Sequence, residues 1–270
     1  MFNPENETKR IIAFIRDYFK TNNLGGVVLG ISGGKDSGVV AGLFSLALGP
    51  ENVIGLTLPC HSSSTDAKDA KAVASKFGFE LLNVELTEAC DILEKEYRNA
   101  LNNHDETYYK DASINLKPRL RMTSCYYMAA ALSAIKKKTF IVAGTSNACE
   151  LYVGYFTKGG DSVHDIAVLA DLTVEEVIKI GEYIGVPDEV IHKAPSDGLS
   201  GMSDEDKLGI KYADVARVIN GELVTGEEYD KIEKLHKRCA HKFVIPTYRK
   251  EKWWELAFIV VHLHQFTKDI

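Results

Sequence analysis

Six consecutive residues, Ser32-Gly33-Gly34-Lys35-Asp36-Ser37, bring together two hydroxyls, two glycines, a cation and an acid. The glycines allow a tight turn that aims backbone N–H groups at an anion. The serines add hydroxyl donors and Lys35 adds a positive charge. A helix starting here would contribute its positive dipole end. These are the parts of a phosphate cradle. Asp36 is the exception, because a bare carboxylate repels phosphate. It fits if a divalent cation bridges the two, since the ion reverses the local repulsion. An aspartate here also suits a helix N-cap, and the two uses are compatible. The spacing is neither G-x-x-x-x-G-K-[ST] nor G-x-G-x-x-G.

The elements around this loop follow from periodicity. Residues 27–31 form a compact apolar run ending in the glycine-rich turn, so a buried strand is expected, followed by a helix over 36–48. Further strands are expected at 53–58, 79–86 and 140–144, and helices at 65–77, 88–102 and 119–137. Residues 103–114 are polar and loop-like. Asn3-Pro4 supplies a cap and first turn for a helix whose apolar face is Ile11, Ile12, Ile15, Tyr18 and Phe19. Strands alternating with helices predict an α/β fold: a Rossmann-like parallel sheet with helices on both faces. Beyond residue 170 the pattern is helical, over 173–184, 204–219, 227–239 and 250–266. A helical C-terminal part is therefore expected, within a single domain of residues 1–270. Residues 194–206, rich in Gly, Ser and Asp, are expected to form a flap over the site.

Composition narrows the class. The 270 residues are 45% hydrophobic with a net charge of −6, so no basic excess points to nucleic acid. Five cysteines are scattered, with no Cys-x-x-Cys pair, which favours reduced thiols and a cytoplasmic location. No segment reads as a signal peptide or a membrane span. Trp253, Trp254, Phe258 and Val261 make an apolar stripe suited to a core or a dimer interface. Glu150 stands near the start of the helix after the fourth strand, where an acid suits the dipole. Thr145 stands at the end of that strand, where it could equally cap the following helix. Arg119 and Arg121 lie two apart on a helix and so diverge.

Ser-Gly-Gly-Lys-Asp-Ser resembles the SGGxDS signature of N-type ATP pyrophosphatases, which cleave ATP between its α and β phosphates. Four further strings, in order, resemble the ammonia-dependent NAD synthetases within that group. They are Asn115-Leu-Lys-Pro-Arg-Leu-Arg-Met122, Ala143-Gly-Thr-Ser-Asn-Ala-Cys-Glu150, Gly154-Tyr-Phe-Thr-Lys-Gly-Gly-Asp161, and His241-Lys242 followed by Pro246. Ala194-Pro-Ser-Asp-Gly-Leu199 and Ser203-Asp-Glu-Asp-Lys-Leu-Gly209 are similar to that family's late loop. The resemblance implies ATP binding by Gly30, Ile31, Ser32, Gly33, Gly34, Lys35, Asp36, Ser37, Thr145 and Ser196. It implies Mg²⁺ on Asp36 and Glu150, and Asp36, Glu150 and Lys35 as the groups that promote reaction. Arg119, Lys158, Asp165, His241 and Lys242 would hold the dinucleotide. The implied reaction is ATP-dependent amidation of nicotinic acid adenine dinucleotide (deamido-NAD) with ammonia, through an acyl-adenylate, giving NAD, AMP and pyrophosphate. The implied assembly is a homodimer. The 26 residues before the first expected strand are too few for a glutaminase domain, so ammonia is expected from solution or from a separate partner. Two departures stand out: Val174 where the family often has lysine, and Met202 near a common glutamine. Two other readings remain: an adenylating enzyme of this group with a different acceptor, and a nucleotide-binding protein without turnover.

Overall fold

The computed structural model describes residues 2–61, 64–103, 105–193 and 204–248. Its first half alternates helix and strand: α1 (Pro4–Thr21), β1 (Gly26–Gly30), α2 (Lys35–Leu48), β2 (Val53–Thr57), α3 (Ser64–Phe77), β3 (Glu80–Asn83), α4 (Thr87–Leu101), α5 (Lys110–Lys136) and β4 (Phe140–Gly144). There follow α6 (Ala148–Val153), β5 (Ile166–Ala167), α7 (Val174–Ile184), α8 (Asp188–Ile191), α9 (Asp204–Leu208), α10 (Tyr212–Ile219) and α11 (Glu227–Cys239).

The sheet has five strands in the order β3-β2-β1-β4-β5, and every pairing is parallel. The expected α/β sheet is therefore present. Chain order reverses between β1 and β4, which pair in register from Gly26 opposite Phe140. At such a reversal, the loops leaving the two strands diverge to opposite faces and open a crevice at the strand ends. The loop after β1 and the loop after β4 both lie at this crevice.

Side-chain alternation along β1 divides the core. Val27 and Leu29 point into one cluster with Ile15, Phe19, Val39 and Leu43, against which α1, α2, α3 and α7 pack. Val28 points the other way, into a cluster with Ile54, Leu56, Cys90, Cys125 and Leu132, covered by α4 and α5. A third cluster joins Cys149 and Val153 of α6 to Tyr212, Val215 and Ile232 of the C-terminal helices. It attaches that helical part to the segment leaving β4.

Several expected boundaries move. The third strand ends at Asn83 rather than 86, because β3 is an edge strand paired on one side only. Helix α5 starts at Lys110, not 119, and carries Pro118 inside it. Its first turns are polar because they stand above the sheet, where Asn115 accepts a hydrogen bond from the Thr157 hydroxyl at 2.8 Å. The expected helix over 204–219 is two helices. Gly209 between them has φ +66°, and the Glu205 carboxylate accepts the Tyr212 N–H at 2.7 Å. The two-residue β5 and the single-turn α8 carried no readable periodicity. Residues 194–203 of the expected flap and the expected helix over 250–266 lie outside the described residues.

Candidate active site

The loop after β1 is folded around its own hydroxyls. Ser37 Oγ accepts the Ser32 N–H at 3.2 Å and donates to Gly34 O at 3.0 Å, while Ser32 Oγ accepts the Gly34 N–H at 3.2 Å. Gly33 has φ +77°, and a Cβ there would come within 2.7 Å of the Asp66 carbonyl oxygen. Glycine is thus required twice over, by conformation and by the close approach of α3. The N-cap of α2 is Gly34, with no side-chain cap. Asp36 is therefore inside the first turn and does not cap the helix. Its carboxylate instead faces Lys35, whose buried Nζ lies 3.2 Å from Oδ2. Burial opposes the charge on Lys35, but the pull of Asp36, Glu150 and Asp204 raises its pKa overall.

Asn147 connects the two loops. It is fully buried and caps α6 by a reciprocal box: Oδ1 accepts the Glu150 N–H at 3.1 Å, and Glu150 Oε2 accepts the Asn147 N–H at 3.2 Å. Its remaining donor, Nδ2, reaches Asp36 Oδ1 at 3.1 Å. One residue thus ties both acids, Glu150 through its backbone N–H and Asp36 through its side chain. Burial pushes the Glu150 carboxyl well above the carboxylate range, and the charges of Asp36 and Asp204 push it further, against Lys35 and the Asn147 N–H. Asp204 itself accepts the Tyr155 hydroxyl at 2.9 Å. Thr145 is half-buried at the end of β4.

A buried Glu150 whose ionisation is opposed by burial and by the nearby Asp36 charge suits a bridging cation. Among the described residues, no group of three or more His, Cys, Asp or Glu could hold a metal alone. Two carboxylates completed by water and phosphate oxygens is the usual environment of Mg²⁺ rather than of a structural zinc or calcium. The residues present therefore fit the ion.

The expected dinucleotide contacts form one group and one outlier. Arg119 donates to Lys158 O from Nη2 at 3.2 Å, and Lys158 Nζ donates to His241 O at 2.6 Å. Lys242 Nζ donates to Gly154 O and Phe156 O at 2.6 Å each, and burial lowers its pKa. These four residues surround the turn at 157–161. Asp165 makes other contacts: Oδ2 accepts the Val142 N–H at 2.8 Å and Oδ1 accepts the Tyr126 hydroxyl at 3.1 Å. Both its oxygens are engaged at the edge of β4. Arg121 diverges from Arg119 and donates to Leu58 O at 3.2 Å. Ser196 and Met202 lie outside the described residues. Val174 lines a cavity of about 320 Å³ with Lys35, Glu205 and Tyr212.

The family model for NAD synthase matches residues 7–251 of the chain. The chain belongs to the NAD synthase family. Among its relatives in that family, the NH(3)-dependent NAD(+) synthetase of Carboxydothermus hydrogenoformans is 37% identical over 245 residues, covering 90% of this chain and 97% of the relative. The enzyme of the same name from Methanocaldococcus jannaschii is 42% identical over 210 residues, 77% of each chain. Among solved structures, the NMN synthetase from Francisella tularensis superposes with a TM-score of 0.81 at 30% identity, covering 92% of this chain and 99% of that one. The NH3-dependent NAD synthetase from Campylobacter jejuni superposes with a TM-score of 0.73 at 25% identity, covering 92% and 100%.

Two features of this member escaped sequence reasoning. Asn147 was passed over in favour of Thr145 as the cap, although the N-x-x-E spacing of Asn147 and Glu150 marks a capping box; its link to Asp36 is 111 residues away. Asp204 was expected only as part of the flap and late loop, and Tyr212 reaches the acids through helix packing with no local signal to mark it.

Proposed function

We infer that the protein is an ammonia-dependent NAD synthetase, a ligase that forms a C–N bond. It amidates deamido-NAD with ammonia, splitting ATP into AMP and pyrophosphate. The observation that carries this reading is the pair of acids, Asp36 and Glu150, joined by Asn147 at the ends of adjacent strands in a chain of this family.

The residues divide the work as follows. The loop of Gly30 to Ser37, its backbone N–H groups and the start of α2 receive the ATP phosphates, with Thr145 and Ser196 as further nucleotide contacts. Asp36 and Glu150 hold Mg²⁺, which when bound neutralises phosphate charge and so makes pyrophosphate a better leaving group. Arg119, Lys158, His241 and Lys242 hold the dinucleotide, with Asp165 as a further contact. The dinucleotide carboxylate attacks the α-phosphorus and the bond to the β-phosphate oxygen breaks. Buried Lys35 and the loop N–H groups face the charge that develops on the departing pyrophosphate, which is electrostatic stabilisation from groups already in place. Ammonia then attacks the acyl carbon, AMP leaves with the bonding pair, and the added nitrogen gives up a proton. The low local dielectric around Lys35 strengthens each of these charge interactions. The enzyme acts in the cytoplasm as a homodimer, and its ammonia comes from solution or a partner. No described helix is long and apolar enough to cross a membrane.

A second acceptor is favoured by one observation, the superposition on the NMN synthetase: nicotinic acid mononucleotide could take the same carboxylate position. The test mixes protein, ATP, Mg²⁺ and ammonium with either acceptor. NAD with AMP and pyrophosphate is expected. ADP and phosphate, or no amidated product, refutes the reading; a mononucleotide amide alone selects the second acceptor. Asp36→Asn should lower turnover at least about 100-fold, the loss typical of removing a charge-stabilising group.

A further inference from the structure

Among the described residues, Tyr212 is a buried phenol beside the acids whose hydroxyl bonds nothing. The residue is 4% exposed, and its hydroxyl has no hydrogen-bond partner. Such a group costs stability wherever it stands, so its presence calls for a use. Its surroundings restrict that use. The backbone is held firmly: its N–H goes to Glu205, and its carbonyl accepts the Cys149 thiol at 3.8 Å. The ring packs in the cluster between α6 and α10. The side chain also lines the cavity of about 320 Å³ that contains Lys35. The charges of Glu150, Asp204 and Asp36 all act on the hydroxyl. The acids nevertheless take other donors: Glu150 Oε2 takes the Asn147 N–H, Asp36 Oδ1 takes Asn147 Nδ2, and Asp204 Oδ1 takes the Tyr155 hydroxyl.

No hydrogen bond joins this O–H to any of the three carboxylates. A ligand that partners it must offer a lone pair to the phenol and also be drawn to anions. An oxygen bound to a divalent cation meets both conditions, whether it belongs to water or to an ATP phosphate. Phosphate without a cation fails the second.

Resting on the functional reading above, we propose that Tyr212 is a further ligand-binding residue, whose hydroxyl donates to an oxygen in the coordination shell of the cation held by Asp36 and Glu150. In this role the phenol orients that oxygen while the two acids supply the charge. It also explains why a tyrosine, rather than a phenylalanine of nearly the same shape, occupies a position whose ring packs among apolar side chains.

The test compares wild type, Tyr212→Phe and Asp36→Asn by calorimetric titration with Mn²⁺ alone and with Mn²⁺ plus a non-hydrolysable ATP analogue, alongside the Tm of each ligand-free protein. Tyr212→Phe keeps the ring, so its ligand-free Tm should equal or exceed that of wild type. Its affinity should fall about 10-fold, the effect of one lost hydrogen bond to a charged group. A loss with Mn²⁺ alone identifies a water as the acceptor; a loss only with the analogue identifies a phosphate oxygen. Unchanged affinity in both titrations overturns the proposal, as does a lower ligand-free Tm, which would mean that the hydroxyl has a partner within the protein. Asp36→Asn separates this failure from that of the underlying reading. If Asp36→Asn binds Mn²⁺ as wild type does, the two-acid cation site itself is wrong, whatever Tyr212 does.

Discussion

Asn147→Ala tests the joint between the two loops. Three hydrogen bonds converge on this residue: its side chain caps α6 at Glu150 N, its N–H is taken by Glu150 Oε2, and its Nδ2 serves Asp36 Oδ1. Alanine keeps the second and removes the other two. Loss of an N-cap costs about 1 kcal/mol. Loss of a donor to an ionised, part-buried carboxylate costs roughly 1.5–3 kcal/mol. The sum is about 2.5–4 kcal/mol, to be read from urea denaturation of the metal-free protein. Asn147→Ser divides the sum, because serine also caps but cannot reach Asp36 as an amide does. It should recover about 1 kcal/mol and leave the remainder lost. Both variants should bind Mn²⁺·ATP more weakly than wild type, since Asp36 is no longer held toward Glu150. A cost below about 0.5 kcal/mol for Asn147→Ala, the range of ordinary surface changes, would refute the claim that this side chain caps α6 and holds Asp36. Equal losses for alanine and serine would refute the division between cap and bridge.

The other expectations follow from single contacts. Glu150 titrates above the usual carboxylate range in the folded state because of burial first and Asp36 second. Folded protein therefore retains a proton that the unfolded chain has released, so this contribution to stability is full below about pH 4.3 and is lost as pH rises through the raised value. Across that window the Tm of metal-free wild type should fall more steeply than that of Glu150→Gln, and cation binding should release protons, seen as a buffer-dependent heat. Lys193 Nζ lies 2.6 Å from Asp69 and 3.0 Å from Asp66. Asp69 is buried, so Lys193→Met should cost about 2 kcal/mol in urea denaturation by leaving that carboxylate unpaired. A Cβ on Gly160 would stand 3.1 Å from the backbone of Pro118 and 3.2 Å from Arg119 N. Gly160→Ala should therefore push the 157–161 turn off α5, raising KM for the dinucleotide severalfold while kcat changes little; an unchanged KM would remove that turn from the binding surface.

What could be read in advance depended on where the determining forces lie. Residues 140–144 and 227–239 matched the expected strand and helix because an apolar run between turns and a clear amphipathic face are local signals. The start of α5 was hidden because its first turns are polar and include a proline, and neither feature speaks for helix. Gly209 broke an expected helix that its flanking periodicity had joined. In the site, Asp36 stood out because an acid is anomalous inside a phosphate loop, and Glu150 because its segment resembles that of the NAD synthetases. Asn147 did not, because its use depends on β1 lying beside β4. Tyr212 was illegible for a stronger reason: its significance is a missing partner, which exists only once α6 and α10 have packed.

The pairing of β1 with β4 has a consequence for how this protein comes to exist. The amide that joins Asn147 to Asp36 spans 111 positions of chain, and β2, β3 and the helices between them are threaded through that span. Closing so long an excursion is entropically costly and slow compared with forming hairpins or single helices. No fragment ending before β4 can bring the two acids together. During synthesis, then, a nascent chain can already have β1, β2 and β3 in place and still lack the paired acids. The two-acid site is therefore among the last parts of the sheet's crevice to be completed.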